Sequence, residues 1–196
     1  MIASRGRRWL GAAGLATALA ACSSPNPVLY TIAPVKGAEH NGGPRVILLQ
    51  QIGLERYLER SQIVRSSENY RLDVMSNYWW GEPLGAMLSR VLLEELGQRL
   101  PHSVAISEIG AVSAPPDATL ALNIQRLDQD AAGTLVLAAQ ASVAFKARSA
   151  PVLRSFRFTV QPPTPDIPGE VQAISTAVGQ LADGLAAMLI AGPSAR

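Results

Sequence analysis

The sequence predicts an α/β, α+β-like two-layer sandwich: a mixed, largely antiparallel sheet with two amphipathic helices on one face. Three observations carry this expectation. First, two segments repeat apolar residues at three- and four-residue steps, Leu84, Met87, Leu88, Val91, Leu92 and Leu96, then Val171, Ile174, Val178, Leu181, Leu185 and Leu189, the pattern of a helix with one buried stripe. Second, three segments between them alternate with period two. Leu120, Leu122 and Ile124 oppose Asn123 and Gln125, Leu135, Leu137, Val143 and Phe145 oppose Thr134, Gln140, Ser142 and Lys146, and Phe156, Phe158 and Val160 oppose Ser155, Arg157 and Thr159. Consecutive alternating strands joined by short turns form an antiparallel meander with one wetter face. Third, the order is strands, helix, strands, helix, and both apolar stripes are buried most simply by laying the helices across the same side of the sheet.

In chain order, residues 1–21 read as a signal peptide. Arg5, Arg7 and Arg8 precede an uncharged run from Trp9 to Ala21, which is shorter than the ~20 residues a bilayer span needs. Leu19-Ala20-Ala21-Cys22 then resembles a bacterial lipobox, which makes Cys22, the only cysteine, a lipidation site and the first residue of the mature protein. By resemblance to Gram-negative lipoprotein sorting, Ser23 rather than Asp after it favours the outer membrane, with the body facing the periplasm. The full chain holds 17 basic and 15 acidic residues. The three arginines leave with the signal, so the mature chain carries 14 and 15, a net charge of −1. No basic patch for nucleic acid remains.

Residues 22–44 read as a flexible tether because Ser23-Ser24-Pro25-Asn26-Pro27 and Asn41-Gly42-Gly43-Pro44 are irregular chain. Leu29 to Ile32 has strand character and could dock on the domain edge. A single domain over 45–192 follows, with a tail at 193–196. Val46 to Leu49 is a continuous apolar strand; Gln62–Arg65 and Tyr70–Val74 are short strands about a turn at Ser66–Asn69. Pro83 suits the first helical turn, and Gly97 and Pro101 bracket that helix's end. Ser103–Ser107 is a short strand, Asp130–Gly133 and Arg148–Pro151 are turns, and Gly192-Pro193 stops the last helix. A transmembrane β-barrel needs at least eight strands of about ten residues, and only about three long ones are present.

The residue types of catalysis are sparse. His40 and His102 have no companion at metal-ligand spacing, and no His-Glu-x-x-His, nucleophile elbow or phosphate loop occurs. Asp128 and Asp130 read as turn chemistry, and Glu94-Glu95 as a solvated helix face. No catalytic residue, cofactor or metal is expected, and the chain reads as a binding or assembly component.

Two segments stand out. Tyr78-Trp79-Trp80 holds every tryptophan of the mature chain, and adjacent residues there cannot both face the core; one ring would staple the helix entry and the other lie nearer the surface. Gly53-Leu54-Glu55-Arg56-Tyr57-Leu58-Glu59-Arg60-Ser61-Gln62-Ile63-Val64 mixes charge with apolar residues and reads as a loop with one helical turn. Together with Trp80-Gly81-Glu82-Pro83-Leu84 and the early Pro27-x-x-Tyr30-Thr31-Ile32, it resembles the PqiC/YmbA family, the ABC-type transport auxiliary lipoproteins. The chain departs from the family pattern at Glu55 and Ser61, where proline is common, and at Glu59, where aspartate is.

The resemblance implies an outer-membrane lipoprotein with no catalytic turnover. Its implied partners are an MCE-domain protein and inner-membrane permease components, with lipid as cargo and envelope integrity as the outcome. The lipoprotein would dock an MCE tube at the outer membrane. A ring of copies would suit that role, although the sequence carries no oligomer signal. Carried over residue by residue, the candidate partner interface comprises Arg56, Tyr57, Leu58, Arg60, Gln62, Trp80 and Glu82, with Trp79 added for its exposed aromatic surface. The alternative is a lipoprotein regulator of another envelope machine, such as a peptidoglycan synthase, with the same anchor and body.

Overall fold

A computed structural model describes residues 26–192. The signal peptide, Cys22 and the tail at 193–196 lie outside the described residues. The elements are β1 (Val28–Tyr30), β2 (Val46–Leu49), β3 (Gly53–Leu54), a 3₁₀ turn (Arg56–Leu58), β4 (Gln62–Ser66), β5 (Asp73–Trp80), α1 (Leu84–Arg99), β6 (Val104–Ser107), β7 (Ala118–Gln129), β8 (Leu135–Phe145), β9 (Val152–Val160) and α2 (Ile167–Ile190).

Strand β7 is the spine of a nine-stranded mixed sheet. Along one edge it pairs antiparallel with β8 from Ala118↔Phe145 to Gln129↔Leu135, and β8 pairs with β9 in the same sense. Its other edge is too long for any one partner. Three short parallel strands share it in succession, β2 at Ile47↔Ala118, β3 at Gly53↔Asn123 and β4 at Ser66↔Gln129. β6 extends the sheet beyond β2, and β5 then β1 extend it beyond β4. The longest ladders are the antiparallel ones, as the alternation predicted.

Helix α2 packs against β8, β9 and α1, and α1 against β6, so both helices cover one face. The helical stripes and the inward residues of β7 and β8 form one core, with Val91, Leu120, Ile124, Leu137, Val143, Val178 and Leu185 fully buried. α2 is long and apolar enough to cross a membrane, yet 67% of that stretch is buried inside the body, which marks it as a core helix. Asp166 caps it, accepting the Gly169 N–H at 3.0 Å.

Two expectations are corrected. β5 runs from Asp73 to Trp80, so the strand expected over Tyr70–Val74 starts later and takes in the Tyr-Trp-Trp run, which is strand rather than a lead-in to the helix. α1 ends at Arg99, between Gly97 and Pro101, as the sequence predicts. A bulge in β7 pairs Ile124 and Arg126 with the successive residues Ala139 and Ala138. The extra residue reverses the alternation, which returns Leu127 to the core and turns Arg126 and Asp128 to the other face.

The second concerns the tether: Leu29 to Ile32 docks on the sheet edge as expected, but the bound stretch is longer. Residues 28–40 form a strap bound to the body. β1 pairs parallel with β5, and Ile32 is 1% exposed. The Ala33 N–H donates to Ser175 Oγ at 3.2 Å, the Val35 N–H to Glu95 Oε1 at 2.7 Å, and the His40 N–H to the Arg99 carbonyl at 2.8 Å. All these partners lie far along the chain, where local composition carries no trace of them.

Candidate partner-binding surface

The two family-like segments meet in space. The Trp80 N–H donates to the Ser61 carbonyl at 2.7 Å, Gln62 registers with Trp79, and the Gly81 N–H donates to the Tyr30 carbonyl at 2.8 Å. β3 sets the entry: Gly53 lies against Asn123, where a Cβ would come within 2.6 Å of Oδ1, and the Glu55 N–H donates to the Ile124 carbonyl at 3.2 Å. The 3₁₀ turn then drives Leu58 into the core.

Most of the expected interface residues are consumed by the fold. Leu58 and Trp80 are buried core residues, the former 4% and the latter 8% exposed, and they leave little surface for contact. Trp79 is half-buried, and its indole N–H donates to the Ser76 carbonyl at 2.9 Å. Glu82 accepts from Arg90 at 2.8 Å, and Arg90 also reaches Thr31 Oγ1 at 3.2 Å, which ties the strap to α1. Arg56 and Arg60 are exposed beside exposed Glu55 and Glu59, and neither arginine has a side-chain bond among the described residues. His102 is exposed.

Tyr57 anchors a polar cluster on the sheet face opposite the helices. Its hydroxyl donates to Asp128 Oδ2 at 2.8 Å; Arg126 Nε donates to Asp128 Oδ1 at 2.8 Å, and the same guanidinium reaches Glu68 at 2.6 Å and the Gln129 carbonyl at 3.1 Å. Burial, then the bond to Asp128, holds the Tyr57 phenol well above its ordinary pKa. Burial alone would lower Arg126, but its bonds to Glu68 and Asp128 outweigh that and raise it. The Asp128 side chain is fully buried with both oxygens bonded, so it is a structural counter-ion rather than turn chemistry. Asp130 does serve the turn, accepting from the Ala132 and Thr134 N–H groups.

A cavity of about 310 Å³ opens between this segment and the start of α1. Ile52, Leu54, Leu84 and Ile109 give it apolar walls, and Glu59 and Ser89 lie at polar points. Pro83 starts α1 without a side-chain cap.

Two acids are buried against the helices. Glu95 was expected on a solvated face, yet it is wholly buried while its neighbour Glu94 is exposed. Burial pushes its carboxyl up to about 7 despite the Val35 N–H and the Arg99 charge. Arg99, 1% exposed, pairs with Asp183 at 2.5 Å and donates to the carbonyls of Val35, Glu95 and Gly179. Glu170, in the first turn of α2, is also wholly buried, and neither oxygen is hydrogen-bonded among the described residues; Arg65 Nε stands 3.9 Å away. Burial, against the Arg65 charge and with Asp128 and Asp73 adding to it, raises Glu170 to about 8. Sequence reading missed these buried acids because the groups that receive them, the Val35 N–H for Glu95 and Arg65 for Glu170, are remote. The one available signal was an acid on the apolar stripe of its own helix.

The fold and this surface define an α+β body with a docked N-terminal strap. The model of the ABC-type transport auxiliary lipoprotein component family matches residues 29–186, and the chain belongs to that family. The match begins within β1, so it includes the strap. By its description the family is an auxiliary lipoprotein component of ABC-type transport, which associates it with ABC transporter components. Among solved structures, an uncharacterized protein superposes with a TM-score of 0.70 at 16% identity, over 83% of this chain and 98% of its own. Protein XCC0632 from Xanthomonas campestris, of the DUF330 family, gives 0.69 at 16% identity, over 84% and 95%. At these identities the likeness speaks for the fold. No curated protein matches the sequence.

Proposed function

We propose that the protein is an outer-membrane-anchored, periplasm-facing lipoprotein that serves as the docking subunit of an MCE-type, ABC-linked lipid transport system. The observation that carries this reading is the family match over residues 29–186 on a chain whose lipobox places Cys22 just ahead of it. Acylation at Cys22 would hold the body on the leaflet, since several acyl chains together anchor stably where one does not. The interface of this reading is narrower than the resemblance alone implied. Arg56 and Arg60, interleaved with Glu55 and Glu59 around the 3₁₀ turn, form its exposed part, next to the cavity at the start of α1. Exposed charges of this kind set the register and rate of association.

The test is co-purification of the acylated protein from native membranes with its MCE-domain partner. Wild type is expected to retain the partner. Arg56→Glu combined with Arg60→Glu is expected to lose it with an unchanged melting temperature. Retention by the double variant would remove the arginines from the interface. Recovery of cell-wall synthases in place of MCE and permease components would overturn the docking role.

A further inference from the structure

The tip of the β4–β5 hairpin is an oddity that the fold does not explain. Asn69 and Tyr70 both have positive φ, 56° and 60°, and the Arg71 N–H donates to the Glu68 carbonyl at 3.2 Å. This is a tight turn of the primed kind, in which both central residues sit in the left-handed region and glycine is strongly favoured at the second. A bulky side chain there is a genuine outlier. Nothing among the described residues compensates for it: the Tyr70 ring is fully exposed, and Arg71 and Leu72 beside it are exposed as well. Strained residues of this sort persist where the surroundings fix them, and they cluster at sites of contact.

The strap says what the tip faces. β1 runs parallel to β5, with Val28 opposite Tyr78. Its N-terminal end therefore points toward the start of β5, which is the hairpin tip. Six residues separate Tyr78 from Leu72, about 20 Å of strand. Six residues also separate Val28 from Cys22, a reach of at most about 21 Å. Only Ser23, Ser24 and Pro25 stand between Cys22 and the described Asn26, so those two residues lie within about 14 Å of one another. An acyl group on Cys22 is thus held at the hairpin end of the molecule. The far end, where α1 finishes and His102 is exposed, leads into β6 beside β2 at the Ala118 end of β7, whereas the hairpin pairs at Gln129, about 36 Å of strand away.

We infer that the tip Asn69–Leu72 rests in the headgroup region of the leaflet that anchors Cys22, with Tyr70 as its interfacial foot. The side chains suit that partner. Tyrosine favours the membrane–water boundary, leucine buries apolar area, and arginine lays its stem on apolar surface while its head meets phosphate. The inference rests on Cys22 being the lipidation site. Its consequence is that the body sits on the leaflet with a fixed end down, instead of swinging on a long tether.

The experiment uses the acylated protein in vesicles of phosphatidylethanolamine and phosphatidylglycerol. Acylation consumes the only cysteine, so Tyr70→Cys and, separately, His102→Cys each give a single free thiol for an environment-sensitive fluorophore. The label at 70 is expected to shift to the blue on vesicles and to be quenched by headgroup-proximal spin-labelled lipid, and the label at 102 to do neither. As a check on the side chain itself, a fluorophore on Ser67→Cys is expected to shift less when Tyr70→Gly is added. A silent label at 70 on protein whose N-terminal peptide carries acyl mass overturns the inference alone. An unmodified Cys22 peptide overturns it together with the lipoprotein reading. A shift at 70 that requires an added partner protein also overturns it, in favour of a protein contact.

Discussion

Replacing Glu95 by glutamine should abolish a specific part of the protein's pH dependence. Glu95 is wholly buried on α1; one oxygen takes the Val35 N–H at 2.7 Å and the other has no partner among the described residues. Burial raises its pKa from the ordinary 4.5 to about 7. Between those values the unfolded chain has released this proton while the folded chain still holds it. Stability therefore falls as pH rises through this window, and the loss is complete above pH 7. The difference corresponds to about 3 kcal/mol. Glutamine keeps an acceptor for Val35 and carries no charge, and Arg99 keeps Asp183 at 2.5 Å, so no buried cation is orphaned. Glu95→Gln should match wild type near pH 4.5 and exceed it by about 3 kcal/mol at pH 8, an increase of about 1.5 M in urea midpoint for an m-value of about 2 kcal/mol/M. The assay is urea unfolding from pH 4.5 to 8 on a soluble form carrying Cys22→Ser. Glu170, raised to about 8 by burial, contributes its own decline to both proteins, so the quantity to follow is the difference between the two curves. A flat difference across the window would mean that Glu95 ionises freely in the folded state, and the reasoning from burial would be wrong.

Two further outcomes test other parts of the fold. Tyr57→Phe removes the hydroxyl bonded to Asp128 but leaves that carboxylate its bond to Arg126 at 2.8 Å; a loss of about 1.5–3 kcal/mol in denaturant unfolding is expected for a bond to a charged group. Tyr70→Gly relieves a left-handed backbone that supports no internal contact; it should raise stability by about 1–3 kcal/mol, read as a higher melting temperature, and a lower one would mean that the ring is packed.

The layers of this fold are legible because period 3.6 and period 2 are local signals. The stripe from Leu84 to Leu96 and the alternation through β8 each declare a buried face, and two such faces leave few ways to pack. What stayed hidden is non-local. The strap looks like a linker in composition, and its order comes from Ser175, Glu95 and Arg99, many positions downstream. Glu95 itself follows Leu92 by three and precedes Leu96 by one, which puts it on the buried stripe. Charge suggests solvent, position suggests core, and position wins because Arg99 and the Val35 N–H stand there to receive it. The β7 bulge is equally silent in sequence, yet it decides that Asp128 faces Tyr57 instead of the helices.

The same distinction bears on the family-like segment. A shared motif mixes residues kept for folding with residues kept for contact, and a sequence cannot separate the two. Here the separation is physical. Leu58 and Trp80 are in the core, Tyr57 is spent on Asp128, and Glu82 is spent on Arg90. Each of these, if mutated, would disturb a partner assay by loosening the surface that carries the contact. Arg56 and Arg60 differ, since they are exposed and without side-chain bonds among the described residues. A loss of partner binding on changing them, with stability unchanged, is therefore interpretable as a lost contact, whereas the same loss at Trp80 is not. Leu58 is buried in the core and Tyr57 is bonded to Asp128, so the 3₁₀ turn is tied to the body; under the proposed docking role, that would lower the ordering cost a partner meets at the arginines the turn displays.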